Sequence, residues 1–332
     1  MALRKVYAGL DMRQGARLDL LTEDGLDRIN GATMDVMETT GIGVNHDEAL
    51  KIFKDAGCTV DMKKRLVSIP EHLVKESLQK CPSRMLLAAR EKAYDVKLEA
   101  GRKVGNTTFG TGLYVYEHES KSVRESTEKD VFDAAVVSDW CPTIDFYSLP
   151  CAARDLLLKG LASDVHETLT SWKGTRKHFH HVDPVAEHMD YYYRMGVAYY
   201  GGDEEAFRKR PLISVLLCPT SPLQLHANAC GVIIKGARYE IPVNVLSMAL
   251  SGATSPVTLA GTLVTHNAEV LSGIVLAELA NPGAPVMYGS STTMFDLRYG
   301  TAPVGAPELG MISAEVCQLA QYYGLPSYVA GS

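Results

Sequence analysis

Three stretches of this chain have the same layout, and together they restrict the fold more than any other feature. "PLISVLLCP", "IPVNVLSMAL" and "APVMYGSST" are almost continuously apolar, and each runs into a long helix-forming segment. Those segments are "LQLHANACGVIIKGA", "VTLAGTLVTHNAEVLSGIVLAELA" and "ELGMISAEVCQLAQYYG". A strand with no polar alternation is buried on both faces, which is the condition of a parallel strand covered by helices. Pro222, Pro256 and Pro307 are expected in first helical turns, with Ser221 and Ser255 as N-caps. The tripeptide Thr-Ser-Pro occurs twice between strand and helix, at 220–222 and 254–256. A strand spacing of roughly 30 to 45 residues fits a (β/α)8 barrel or a doubly wound sheet. No GxGxxG and no P-loop is present, so the expected fold class is α/β, of the (β/α)8 barrel type.

The chain before residue 100 reads differently. Thr22 and Asp24 open a helix that Gly41 stops, and "NHDEALKIFKDAGC" repeats the design up to Gly57. "CTVDMKKRLVSIP" has β-prone arms around Lys63-Lys64 and is predicted as a hairpin; a short helix follows Pro70. Residues 1–99 are expected to form a cap or oligomerisation layer, and residues 100–332 a barrel. In the second part, "GRKVGNTTFGTGLYVYE" is β-prone and "STEKDVFDAAVVSDW" is a helix capped by Thr127. "TIDFYSLP" is a strand, "ARDLLLKGLASDVHETL" a helix and "KHFHHVD" a strand. Counting to "PSYVAGS" gives six or seven barrel strands, so the barrel is expected to be truncated before closure.

The net charge of −6 gives no electrostatic argument for nucleic acid or an anionic membrane. Charges within "MALRKVYAGLDMRQGARLDL" interrupt any signal-peptide core, and no run reads as a membrane span. The seven cysteines are scattered without CxxC, which points to reduced, buried thiols and a cytoplasmic setting.

In a barrel, chemistry sits on the residues that follow each strand. Here those are Leu149-Pro150, His181 to Asp183, Cys218 to Ser221, Ser247 to Ser251, Ser290 to Thr293 and Ala330 to Ser332. Thr220, Ser247, Ser291, Thr292 and Ser332 are hydroxyl candidates for a substrate pocket, and each also suits a cap or turn. Asp155, Glu167, Asp183 and Glu308 are candidate acids; Arg154 and Asp296 are nearby charges. His178 and His180, as His-x-His, would begin a metal-dependent hydrolase site. No later strand end supplies the remaining ligands, so no metal is expected. No Lys ends a strand, against a Schiff-base aldolase, and no Ser-His-Asp relay is in place. The mouth looks like a binding cavity short of reactive groups.

Long segments of the chain resemble the trimethylamine–corrinoid methyltransferase family. They include "LLCPTSPLQLHANACGVIIKGAR", "IPVNVLSMALSG", "SPVTLAGTLVTHNAEVLSGIVLAEL", "YGSSTTMFDLR", "GTAPVGAPELG", "GLPSYVAGS", "DVHETLT", "KHFHHVDP" and "YYGGDEEAFRKRP". The resemblance implies a (β/α)8 barrel that moves one methyl group from trimethylamine to the Co(I) atom of a partner corrinoid protein. Dimethylamine is left, as the first step of methanogenesis from trimethylamine. It implies no cofactor on this chain, a corrinoid on the partner, a homo-oligomer and no NAD or nucleotide. It also implies a pyrrolysine, encoded by UAG, in the segment after "YVAGS", whose imine takes the amine into a cationic adduct. Tyr288, Phe295 and Tyr328 are candidates to stabilise that cation through their ring faces. The alternative is a pyrrolysine-free relative acting on a quaternary amine such as glycine betaine, which is already charged.

The codon after Ser332 separates these two: UAG is expected, and a sense codon favours the relative. On the same reading, a 332-residue product made alone is inactive and aggregation-prone, since an unclosed barrel exposes strand edges. A soluble, cooperatively unfolding and active product of that length would contradict this.

Overall fold

The computed structural model describes residues 18–101 and 104–330 of the chain. Helix α1 (Glu23–Asp35) is capped by Thr22 Oγ1, which accepts from Gly25 N at 3.1 Å. A π turn over Val36–Thr40 follows and ends at Gly41, whose φ of +79° is the left-handed exit a glycine tolerates. Helix α2 (Asp47–Asp55) is capped by the His46 imidazole. The expected hairpin is Thr59–Asp61 against Leu66–Ser68, and Asp61 Oδ1 accepts from the amides of Lys63 and Lys64 to turn it. Helix α3 (Glu71–Lys80) starts after Pro70. Two hairpins precede the main sheet: Arg84–Leu87 with Val96–Glu99, unread in the sequence, and Tyr114–Glu117 with Ser122–Glu125.

The main sheet has six parallel strands: β1 (Tyr147–Ser148), β2 (Phe179–Val182), β3 (Ile213–Leu217), β4 (Val243–Ser247), β5 (Val286–Ser290) and β6 (Ser327–Val329). They lie side by side in chain order, with no reversal. A doubly wound sheet reverses at a switch point, so a sequential order rules that arrangement out. The connecting helices are α4 (Glu128–Trp140), α5 (Ser163–Gly174), α6 (Met189–Tyr199), α7 (Ala227–Tyr239), α8 (Leu259–Ala280) and α9 (Pro307–Tyr323). The segment expected as one helix after Ala153 is two, Arg154–Leu157 and α5, broken where Gly160 takes φ +71°.

The Thr-Ser-Pro repeats do not open helices, which corrects the sequence reading. After β3 the chain turns tightly, with Thr220 and Gln224 exchanging backbone hydrogen bonds. Gln224–Leu225 then pairs in parallel with Gly43–Val44 of the N-terminal sheet. Helix α7 begins only at Ala227, capped by His226. Helix α8 is capped by Thr258 rather than Ser255. Local propensity favoured an earlier start, but long-range partners hold both loops out: Ser221 is bonded to Glu269, and Ser255 to Thr262. Pro307 does stand at the first position of α9.

Side chains of one sheet face meet the helices. Tyr147 reaches α4, His181 reaches α5, Ser247 and Tyr288 reach α8, and Ser327 reaches α9. Helix α8 lies centrally, against α1, α2, α3, α7 and strands β4 and β5. By length and composition it is apolar enough to cross a membrane, which corrects the expectation that no run reads as a membrane span. Most of its residues are buried within this fold. Its approach to β4 is set by Gly273, where a Cβ would meet Val245 Cγ1 at 2.7 Å. Gly273→Ala is therefore expected to lower the unfolding free energy by about 1–3 kcal/mol through overpacking, measured by urea denaturation.

Candidate active site

The other face of the sheet is concave. Tyr328 on β6 lies with its ring centroid 5.2 Å from His180 on β2, and 6.3 Å from Phe146, which immediately precedes β1. Strands β6 and β2 are four neighbours apart, which in a flat sheet is roughly 19 Å. Only a tightly curled sheet brings those rings together. Phe109, from the segment running beside β1, adds a further ring 6.3 Å from Tyr328.

Strand parity decides what lines this face. Paired residues share a side, so Ser148, His180, Ser214, Leu216, Asn244, Leu246, Met287, Gly289 and Tyr328 all face inward. None of these is charged. Some polar atoms among them have no protein hydrogen-bond partner although buried: His180 Nε2 and both ends of the Asn244 amide, while Ser148 Oγ and the Tyr328 hydroxyl are poorly aligned neighbours of each other. Ser291, one residue past β5, is also buried with its Oγ unpartnered. Buried polar atoms are almost always satisfied, so such a group on one concave face marks a place built to receive polar ligand atoms. Gly289 makes room for it: a Cβ there would meet Asn244 Oδ1 at 2.2 Å.

Two of the residues expected in the pocket, Ser291 and Tyr328, thus lie on or at the rim of this face. Others do not. Tyr288 is fully buried on the helix side, where its hydroxyl donates to Asn267 Oδ1 at 2.6 Å. Ser247 and Thr292 also serve the helix side: Ser247 Oγ donates to Glu269 Oε2 at 2.6 Å, and Thr292 Oγ1 donates to the Ser247 carbonyl at 3.2 Å. Phe295 is half-buried on a loop tied by its backbone to Ser251, and Thr220 is exposed in the turn after β3. Ser332 lies outside the described residues.

The candidate acids are dispersed. Asp155 Oδ1 accepts from Glu128 N at 2.8 Å, at the start of α4. Glu167 accepts from Ala153 N at 2.6 Å and lies on the helix side; burial pushes its carboxyl above the usual range. Asp183 is solvent-accessible at the end of β2 yet crowded by surrounding atoms, and that crowding raises its carboxyl too. Glu308 is in the first turn of α9. The acid closest to organising the mouth is one the sequence reading missed. Glu269 on α8 is buried and accepts from Ser247 Oγ, Ser221 Oγ at 2.8 Å and Leu223 N at 3.0 Å, fixing the loop after β3. Its signal was a carboxylate in the middle of a mostly apolar helix; Asn244, a lone amide in a mostly apolar strand, carries the same kind of signal. Burial raises the Glu269 carboxyl as well.

His178 and His180 do not converge on a shared point outside the protein; both bond to Ser214 Oγ, at 2.8 and 2.6 Å. Among the described residues, no three His, Cys, Asp or Glu side chains are grouped to hold a metal ion.

A family profile described as trimethylamine methyltransferase (MTTB) matches residues 5–332. The chain belongs to this family. It is 58% identical over 334 residues to the trimethylamine methyltransferase MttB of Methanosarcina barkeri (strain Fusaro / DSM 804), covering 100% of this chain and 67% of that protein. Identity is 44% over 326 residues to MttB of Desulfitobacterium hafniense (strain DSM 10664 / DCB-2), covering 98% and 65%. It falls to 28% over 315 residues for the glycine betaine methyltransferase of Desulfitobacterium hafniense (strain Y51), covering 95% and 64%. Among solved structures, the crystal structure of the hydroxylamine MtmB complex superposes with a TM-score of 0.51 at 12% identity, covering 92% of this chain and 67% of that one. That likeness concerns the fold alone. As a member of this family the protein is a methyltransferase.

Burial holds His266, on the helix side of the sheet, down to about 3. A histidine whose folded pKa lies below its ordinary 6.5 stabilises the fold above pH 6.5 and loses that contribution as pH falls toward the folded value. Relative to His266→Asn, the wild type should lose stability between pH 6.5 and 4, by up to about 1.4 kcal/mol per pH unit. Urea unfolding of both proteins across that range checks the slope.

Proposed function

We propose that this protein transfers a methyl group from trimethylamine to the Co(I) atom of a corrinoid carried by a partner protein, leaving dimethylamine. The observation that carries the reading is the curled inner face: aromatic, without charged side chains on its strands, and bearing buried polar atoms that have no protein partner. Such a surface suits a small methylated amine, whose methyl groups pack on rings and whose cationic form is favoured over aromatic faces. The 58% identity to trimethylamine methyltransferases, against 28% to a glycine betaine methyltransferase, supports the tertiary amine as substrate.

The sequential parallel order and the curl support a (β/α)8 barrel, with residues 1–99 as a cap or oligomerisation layer and residues 100–332 as the barrel portion. The family resemblance adds pyrrolysine as the electrophilic, amine-activating residue. An uncharged face with free donors and acceptors fits a neutral ring of that kind and an alkylammonium beside it. This chain's own contribution is orientation and exclusion of water. Tyr328, Phe146 and Phe109 wall the amine, and Glu269 fixes the loop at the mouth. The corrinoid supplies the methyl-accepting cobalt when its carrier protein docks, and this chain holds no resident cofactor. We further propose a cytoplasmic homo-oligomer, serving the first step of methanogenesis from trimethylamine.

The full natural protein, mixed with its corrinoid partner in the Co(I) state, is expected to convert the cobalt spectrum to that of methyl-Co(III) on addition of trimethylamine. No conversion with trimethylamine, or conversion with glycine betaine alone, would reject the proposal.

A further inference from the structure

On the inner face a hydrogen-bond chain has its direction fixed at one end. The Ala88 carbonyl can only accept, so His178 Nδ1, 2.9 Å away, carries a hydrogen. Burial holds His178 down to about 4, so it is neutral and its Nε2 offers a lone pair. Ser214 Oγ, 2.8 Å from that nitrogen, donates its single hydrogen there. Ser214 can then only accept from His180, whose Nδ1 at 2.6 Å must be the protonated nitrogen. His180 is also neutral, held down to about 3 by burial. Its Nε2 is therefore a bare lone pair.

That atom is buried with no protein donor, and its surroundings are a built site. The Tyr328 ring lies 5.2 Å from the imidazole, and Phe146 stands edge-on to it at 6.1 Å. The Asn244 amide faces the same side and is likewise unpartnered, and Ser148 Oγ and the Tyr328 hydroxyl, neighbours of each other, face that side too. His266 Nε2 is also unpartnered, but it lies behind the sheet against Tyr288, away from these atoms.

We propose, resting on the trimethylamine reading above, that His180 Nε2 accepts the single N–H of the trimethylammonium ion and thereby selects a tertiary over a quaternary ammonium. In neutral water trimethylamine is almost wholly its ammonium form, with three methyl groups and one N–H. In this bound ammonium form the methyls pack on the rings of Tyr328 and Phe146 and the N–H satisfies the imidazole; that proton leaves to solvent before the nitrogen lone pair can add to the imine. A quaternary ion has no N–H; it leaves the acceptor unpaired and puts a methyl group against it. A site built around a buried hydrogen-bonding atom rejects the analogue that cannot pair with it. Ser214 and His178 are positioning residues, because they keep the hydrogen on Nδ1 and the lone pair on Nε2.

Calorimetric titration of the full natural protein with trimethylammonium chloride and tetramethylammonium chloride tests this. The wild type is expected to favour trimethylammonium by about tenfold to hundredfold, the range of one hydrogen bond to a charged group. His180→Phe keeps the ring and removes the acceptor, and the preference should fall to within about threefold. Ser214→Ala removes the tautomer lock with little change in volume. It should lose several-fold of the preference, and it answers the question if the first variant does not fold. An undiminished preference in either folded variant overturns the proposal. A wild type that does not bind trimethylammonium overturns the substrate reading on which it rests, which is a different result.

Discussion

Contact between Tyr328 on β6 and His180 on β2 is the constraint on which the rest of this molecule depends. It requires a sheet curled through four strand spacings, and a curled sheet has two unequal faces. The convex side is covered by helices and packed with Val215, Val243, Val245, Tyr288 and their partners. The concave side is narrow, and its centre is reached by only one side chain from each alternate position. Leu216, Leu246 and Met287 occupy part of this inner surface, but polar side chains share it. The chain places Ser148, His180, Ser214, Asn244 and Tyr328 there. Burying so many polar groups opposes folding unless most are bonded. The Ala88–His178–Ser214–His180 chain meets that demand for its own members and leaves one acceptor for a ligand.

A second buried network performs a different task behind the sheet. Glu269 gathers Ser221, Leu223 and Ser247, so one carboxylate joins a helix, a strand end and the loop after β3. The same loop adds Gln224–Leu225 to the N-terminal sheet, while Asn267 on the same helix donates to Thr33 of α1. The cap region and the main sheet are therefore coupled through α8, and the mouth loop inherits its position from both. This explains why the turn after β3 contains Leu223 with φ +58°, a conformation that a free loop would avoid.

Membership of the methyltransferase family and the uncharged, aromatic inner face are compatible with the methylated amine proposed as substrate. The family match covers residues 5–332, yet it does not say which side chains meet the substrate. Strand parity, ring contacts and the bonding state of buried atoms show which side chains line the inner face of the sheet. On that ground the proposed site is centred on the middle of the strands rather than on the loop hydroxyls.

What the sequence determined by itself was the local grammar. Mostly apolar runs at 213–217, 243–247 and 286–290 became parallel strands because no regular polar alternation allowed either face to meet water. Thr22, Thr127 and Pro307 set helix starts, and Gly41 and Gly324 set helix ends, because capping and left-handed geometry act within a few residues. Of the site, Ser291 was legible as a residue following a strand, and Tyr328 as an aromatic candidate to face a cation. Tertiary structure alone decided which side of each strand faces the concavity. A shift of one residue exchanges the two faces, so Tyr288 became core while Asn244, in an apolar strand, became part of the site. It alone decided that Ser221 and Ser255 would not cap helices, since Glu269 and Thr262 lie 48 and 7 residues further along the chain. It also gave His180 its character. The imidazole is ordinary in sequence, and only partners 34 and 36 residues apart, converging on one serine, fix where its hydrogen sits.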